Sequence, residues 1–360
     1  MISQVNHLQL LSGNSNIMRI LFIVVISIIL LITIFSFYIT RNGKIVTPMG
    51  SGTITLSSGT YENFPLPDYA AKMVSTDYKS YFIEVEPGIK VHILEVGQGL
   101  PVFLMHGNPT SGFLYRKIAD RLPLDKVRVI MPTSIGLGFS SKIPANQHTL
   151  DNHIRWINKV LNELELSEVI YSGQDWGGPI GMGALSQSPS LLKGAVLMNT
   201  GFNAPKEKVD LTPLHARVKT PVVGELFVEI LFNPFEQLGR VQGDPRSWSE
   251  EIIKLYGKPV FDSGNSKATL SMMRMVPDGP DHRDAAAMRK IEEYVKTLQI
   301  PVEIVWGMKD PLLGKGLSAM EKNFPDAPVT ETQAGHFIQE EASSEIANAL
   351  IRVIDKVERN

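Results

Sequence analysis

The chain has 360 residues, 35 of them basic and 37 acidic, with a formal net charge of −2. Such a balance leaves no electrostatic footprint for nucleic acid. There is no cysteine, which excludes disulfides and thiolate metal sites without fixing a compartment. The eight histidines show no H-E-x-x-H spacing, and neither G-x-x-x-x-G-K-[ST] nor G-x-G-x-x-G occurs, so nothing points to a zincin, another metal site or a bound nucleotide cofactor. The length suits one large α/β domain with an insertion.

After a short N-terminal segment, residues 1–19, the run Ile20 to Ile39 carries no charge. At ~1.5 Å per residue it matches the ~30 Å hydrocarbon core of a bilayer. A cleavable signal peptide is the competing reading. Its apolar region is shorter, about 7–15 residues, and a small-x-small site should follow. This run ends Phe37-Tyr38-Ile39-Thr40, so a single-pass, uncleaved membrane anchor is expected. Arg19 on one side and Arg41 and Lys44 on the other do not set its orientation. Met18 is an alternative start to Met1.

Residues 42–77 are expected to form a flexible tether, because more than half of Asn42 to Pro67 is Gly, Ser, Thr or Pro. Core residues 78–201 follow. Tyr81 to Glu86 and Lys90 to Glu95 alternate around Pro87-Gly88, as in a β-hairpin. Pro101 to Met105 and Val127 to Met131 read as strands, and Ser111 as the cap of a helix reaching about Arg121. Asp151 to Leu164 reads as a helix with Ile154, Ile157, Val160, Leu161 and Leu164 on one face. Val169 to Tyr171, Gly194 to Met198, Val302 to Trp306 and Val329 to Thr332 read as further strands. Ile346, Leu350, Ile351 and Ile354 give the closing helix its apolar stripe. Strands alternating with helices predict an α/β fold, a mainly parallel sheet covered on both faces. Residues 202–296 break the rhythm and predict an inserted helical cap, with Phe227, Leu231, Phe232 and Phe235 in its interior; residues 297–360 complete the core.

The chemistry is carried by Gly173-Gln174-Asp175-Trp176-Gly177 and the Gly178 after it, between a strand and the helix-compatible run Pro179 to Leu185. Strand, Gly-x-nucleophile-x-Gly turn and helix make a nucleophile elbow. Taken alone, the pentapeptide also fits a glycine-rich turn with a helix-capping aspartate. A carboxylate nucleophile narrows the substrate. Attack on an acyl carbon gives an anhydride, a poor intermediate. Attack on a saturated carbon expels a leaving group and gives an ester that water can cleave. Alkyl halides and epoxides fit. Downstream come Asp310 in Gly307-Met308-Lys309-Asp310-Pro311 and His336 in Ala334-Gly335-His336-Phe337. Nucleophile, acid and base in that order, each at a strand end, is the α/β-hydrolase arrangement.

Together with His106-Gly107-Asn108-Pro109-Thr110-Ser111 and Gly335-His336-Phe337-Ile338-Gln339-Glu340, these segments resemble the haloalkane dehalogenases of the α/β-hydrolase superfamily, from about Tyr78 to the C-terminus and least in the cap. The histidine–glycine and aspartate-elbow pieces are shared with epoxide hydrolases. Asn108 and Trp176 discriminate better. The resemblance implies catalytic Asp175, His336 and Asp310, with Asn108 and Trp176 binding halide through their side chains and an oxyanion through their backbone N–H groups. It implies no metal or other cofactor; the partners are a small haloalkane, water and, through the first helix, a membrane. An acid after the earlier strand is not available, since Asn199-Thr200-Gly201-Phe202-Asn203 holds no carboxylate. The sequence departs from the family at Thr133-Ser134, where Asp-Leu is frequent. Trp248, in a setting that reads as an exposed helix start, is left out of the site. Two alternatives remain: an epoxide hydrolase, which would need acidic tyrosines and has Tyr256 and Tyr294 in or near the cap, and a membrane-tethered, catalytically idle binding protein.

Overall fold

The structure is a computed structural model that describes residues 2–210, 212–231 and 233–359, with side chains from Met18 onward. Met1 and the cap residue Phe232 lie outside the described residues. Ten strands form one sheet: β1 (Thr53–Leu56), β2 (Gly59–Asn63), β3 (Lys79–Glu86), β4 (Ile89–Gly97), β5 (Leu100–Met105), β6 (Val127–Pro132), β7 (Val169–Gln174), β8 (Leu192–Met198), β9 (Val302–Gly307) and β10 (Val329–Thr332). Their order is β1-β2-β3-β4-β6-β5-β7-β8-β9-β10. The first four strands and the β4–β6 pair are antiparallel. From β6 onward neighbours are parallel. The expected hairpin is β3–β4.

The parallel strands are covered on both faces, which is why they read as unbroken apolar runs rather than alternating ones. Along β5, Val102 and Leu104 face one core with Ile118, Ile346 and Leu350; Phe103 and Met105 face the other with Ile157, Ile180 and Ile291. The first layer is built on helix Ser343–Glu358, the second on helices Leu150–Glu163, Gly177–Leu185 and Ala285–Val295.

The supposed tether is folded. β1 and β2 extend the sheet past β3, and Tyr61 stacks on Tyr81 with ring centroids 4.8 Å apart. The preceding residues are also docked: Ala145 N donates to the Asn42 carbonyl at 2.6 Å, Val46 bridges Lys142, and Thr47 Oγ1 donates to the Gly88 carbonyl at 2.5 Å. A linker and an edge hairpin share their Thr, Ser and Gly content. The apolar beat Ile54, Leu56, Tyr61 across Ser57-Ser58-Gly59 distinguishes them.

Before it runs the helix Ile2–Ile39, whose stretch Met18–Ile39 is long and apolar enough to cross a membrane and is not packed inside the fold. Ser111 sits at the start of a short 3₁₀ turn, but its side chain makes no capping bond; Thr133 Oγ1 accepts from Gly112 N at 3.1 Å instead.

Between β8 and β9 the described residues contain helices and no strand. The last of these helices, Ala285–Val295, lies in the core's helical layer, where Ile291 approaches Gly183 and Asp284 Oδ1 accepts from Leu150 N at 2.8 Å. The overlying part of the insertion therefore closes before residue 285, short of the expected 296. Within it Phe235 is buried, Phe227 is half-buried and Leu231, expected inside, is 66% exposed.

Candidate active site

β7 ends at Gln174, and a helix begins at Gly177. Asp175 between them has φ +50°, the left-handed region that a non-glycine residue adopts only where its surroundings enforce it. They do so here. The Asp175 carbonyl accepts from Gly178 N at 3.1 Å and from Thr200 Oγ1 at 2.7 Å, and Asp175 N donates to the Asn199 carbonyl at 3.0 Å. A Cβ on Gly177 would lie 2.1 Å from the Met105 carbonyl oxygen, so β5 and the elbow helix meet only if that residue is glycine.

The carboxylate of Asp175 is held by backbone donors. Asn108 N donates to Oδ1 at 2.8 Å, and Trp176 N donates to the same carboxylate. Asn108 Nδ2 donates to the Thr269 carbonyl at 3.0 Å, while its Oδ1 is buried without a partner. His106, in the same loop, accepts from Ser134 N through Nε2 at 2.9 Å. Thr133 and Ser134, where Asp-Leu was the expected pattern, thus brace this loop through Gly112 and His106.

His336 bridges the two carboxylates. Its Nδ1 lies 2.9 Å from Asp310 Oδ2, and its Nε2 lies 3.8 Å from Asp175 Oδ2. Asp310 Oδ1 accepts from Leu312 N at 2.7 Å. Burial opposes the charged form of His336, but the charge and hydrogen bond of Asp310, then the charge of Asp175, raise its pKa above the ordinary value. Burial pushes the Asp175 pKa up; the His336 charge and the Trp176 and Asn108 N–H groups offset this only in part. Asp310 is also buried, yet His336 and the backbone donors of Leu312 and Leu313 keep its pKa below the usual carboxylate range.

The sequence reading missed Asn199. Its Nδ2 donates to Asp310 Oδ2 at 2.9 Å and to the Gly307 carbonyl at 3.0 Å, while its Oδ1 accepts from Gly307 N at 2.7 Å. Its place after β8, level with the acid loop after β9, was the available signal.

Asp175, His336, Asn108 and Trp176 line one cavity of 430 Å³, closed on the cap side by Leu214, Phe227, Val228, Leu238, Val241 and Met273. His215 and Arg240 also reach it and were not anticipated. Neither Tyr256 nor Tyr294 lines it. Tyr256 is buried and donates to Glu340 Oε1 at 3.1 Å; the Tyr294 hydroxyl is buried without a partner on the core helix Ala285–Val295. Trp248 is not exposed: it is 5% accessible, it stacks on Tyr256, and its indole N–H donates to the Phe235 carbonyl at 2.7 Å. Local polarity suggested a surface helix, whereas the indole fills the seam between cap and core. Among the described residues, no group of three or more His, Asp or Glu is placed to hold a metal ion.

A family model described as the alpha/beta hydrolase fold matches residues 101–343. The cis-3-alkyl-4-alkyloxetan-2-one decarboxylase of Shewanella oneidensis is 32% identical over 278 residues, covering 75% of this chain and 86% of that protein. Haloalkane dehalogenase 2 of Mycobacterium tuberculosis is 30% identical over 266 residues, covering 73% of this chain and 90% of its own. Among solved structures, a haloalkane dehalogenase from Agrobacterium tumefaciens superposes with a TM-score of 0.71 at 26% identity, covering 79% of this chain and 99% of that one.

Proposed function

Because this chain belongs to the α/β-hydrolase superfamily, and within it to the haloalkane dehalogenase family, we propose that this hydrolase cleaves the carbon–halogen bond of haloalkanes, giving an alcohol, a halide ion and a proton. The observation that carries the reading is a carboxylate at the elbow facing a mostly apolar cavity, with one oxygen held by the backbone N–H of Asn108 and the other 3.8 Å from an imidazole.

In this reading the free oxygen of Asp175 attacks the halogen-bearing carbon. The carbon–halogen pair of electrons leaves with the halide, and an alkyl ester remains on Asp175. The halide needs donors rather than a proton, and the Asn108 amide and Trp176 indole supply them. His336, oriented by Asp310, then takes a proton from water as that water attacks the ester carbonyl. The carbonyl oxygen is the one held by the Asn108 N–H, with the Trp176 N–H on the same carboxyl group, so the donors that position the nucleophile become the oxyanion hole of hydrolysis.

The experiment is substrate trapping. With a bromoalkane that the native enzyme turns over, His336→Ala should release about one bromide per enzyme and stop, leaving the alkyl mass on the peptide that contains Asp175. Added mass elsewhere, or none, overturns the mechanism. An opened epoxide would need acids over the oxygen, and the two candidate tyrosines do not line the cavity.

One relative favours a second reading. An oxetan-2-one also carries an sp3 carbon whose leaving group departs as an anion, here its own ring carboxylate. Attack by Asp175 would open the ring. Loss of CO2 would then form an alkene and return the carboxylate of Asp175, without water. Alkene and CO2 from a dialkyl oxetan-2-one, with no halide from any bromoalkane, would select this reading over dehalogenation.

The helix through Met18–Ile39 is read as an uncleaved membrane anchor. Supporting this, Ile39 is buried against the domain and the apolar run ends directly in Phe37-Tyr38-Ile39-Thr40, which is not a small-x-small site. Intact chain released by alkaline carbonate, or a mature N-terminus just after residue 40, would overturn it.

A further inference from the structure

The end of the anchor helix is attached to the wall of the cavity. Lys267 Nζ donates to the carbonyl of Ile39, the last residue of that helix, at 2.6 Å, and lies 2.6 Å from Glu229 Oε2. Asn265 Nδ2 donates to the Lys44 carbonyl at 2.7 Å and to the Ile143 carbonyl at 3.1 Å, fixing the chain just after its exit. Lys267 begins the helix Lys267–Arg274, whose Thr269 carbonyl accepts from Asn108 and whose Met273 lines the cavity.

Glu229 belongs to the six-residue helix Leu226–Leu231. Its Phe227 and Val228 line the cavity, whereas Ile230 and Leu231 are 50% and 66% exposed. Two residues of chain span at most ~7 Å, so these side chains stand next to the ion pair that holds the anchor. Val223, just upstream, and Phe261, whose ring meets Phe235 just downstream, are exposed as well. Large apolar side chains clustered beside the end of an apolar helix need an apolar neighbour. Where that helix spans a bilayer, its end lies at the interface, and interfacial residues reach ~5–10 Å into the headgroup and acyl boundary.

We propose that the cap segment around Ile230 and Leu231 rests in the surface of the membrane that the anchor spans, and that lipophilic, long-chain substrate passes from the bilayer through the Phe227–Val228 wall to Asp175. The contact rests on the anchor reading, and the substrate class rests also on the haloalkane reading. The occupant is the bilayer itself, because the helix that enters it is held against this corner of the cap.

The native chain lacks cysteine, so single-cysteine variants of the full-length protein accept one label each. Ile230→Cys, Leu231→Cys and, in the anchor, Ile28→Cys are labelled with a polarity-sensitive fluorophore in phosphatidylcholine vesicles. The expected result is quenching of the cap labels by lipid carrying a nitroxide near the headgroup, shielding of them from aqueous iodide, and quenching of Ile28→Cys by nitroxide deep in the acyl chain. Cap labels open to iodide and insensitive to lipid nitroxide, with Ile28→Cys quenched, overturn the proposal and leave the anchor standing. An unquenched Ile28→Cys overturns both.

The route has its own readout. The double variant Ile230→Asp, Leu231→Asp should lose about tenfold in kcat/KM for 1-bromohexadecane dissolved in vesicles and keep its rate within about twofold on water-dissolved 1-bromobutane. Equal loss on both substrates overturns membrane entry. Absence of halide from both, with cap labels quenched by lipid, overturns the haloalkane reading and leaves the membrane contact in place.

Discussion

The strand ends and the cap meet at the same cavity but are built on opposite terms. At the strand ends the two triad carboxylate residues are each fixed by several hydrogen bonds: Asp175 through Gly178, Thr200, Asn199 and Asn108, and Asp310 through Leu312 and Asn199. In the cap the lining is mostly apolar and carried on short pieces, the six residues Leu226–Leu231 and the four of Pro234–Gln237 among them. Directional bonds specify residue type and position together. Apolar contact specifies volume, which many residues can supply. Rigid strand ends therefore suit the reacting groups, and interchangeable walls suit the choice of substrate.

The comparison is tested most severely at Asp310. Asp310→Asn should leave the first step, which needs no base, and slow the second on the order of 10⁴-fold, as when a triad acid loses its charge. A halide burst equal to the enzyme concentration, followed by near-silence, is the expected trace. Equal loss of burst and steady state would mean that Asp310 serves the nucleophile rather than the histidine.

A glycine pair tests the backbones. Gly177→Ala puts a methyl group 2.1 Å from the Met105 carbonyl and should cost several kcal/mol, seen as a large fall in Tm. Gly239→Ala, in the cap, meets nothing closer than 3.4 Å and should change stability by less than about 0.5 kcal/mol. Similar losses at the two sites would erase the distinction.

pH separates the two catalytic steps. In the proposed mechanism hydrolysis needs the base form of His336, so its rate should climb as pH rises through the His336 pKa, which in the free enzyme Asp310 and Asp175 hold above the ordinary ~6.5. Alkylation removes the charge of Asp175, one of the groups raising that pKa. The ester intermediate should therefore titrate lower than the free enzyme, seen by comparing the pH profile of single-turnover ester hydrolysis with direct NMR titration of His336 in the free enzyme. For stability the sign reverses. The contribution of protonated His336 is complete below ~6.5 and is lost as pH rises through the folded value.

The smallest effect is expected in the wall. Phe227→Ala should shift the preferred bromoalkane toward longer or bulkier chains by roughly tenfold in kcat/KM ratio, with the burst on short substrates retained.

What the sequence made legible follows the same division. Asp175, Asp310, His336, Asn108 and Trp176 could be read as one constellation because an elbow, an acid turn and a loop after β5 each require particular residues at particular spacings; the fold sets four of them on one cavity and Asp310 behind His336. Asn199 was passed over because it acts through amide geometry that no local pattern marks. Trp248 was misjudged because Arg246, Ser247 and Ser249 around it are polar, and only tertiary packing sends the indole inward. The residues before Tyr78 read as a spacer in composition because an edge hairpin, with one face open to water, has little apolar content to show.

That hairpin also decides where the protein can be cut. A chain beginning at Tyr78, the point at which the globular part was expected to start, would lose β1 and β2 and bare the long edge of β3 as a template for another strand. A chain beginning at Asn42 keeps both strands and the seams to Ala145 and Lys142, and sheds only the apolar helix. A soluble catalytic body is thus expected from one severance point and an aggregating one from the other, although the two differ by 36 residues that look, in composition, like dispensable thread.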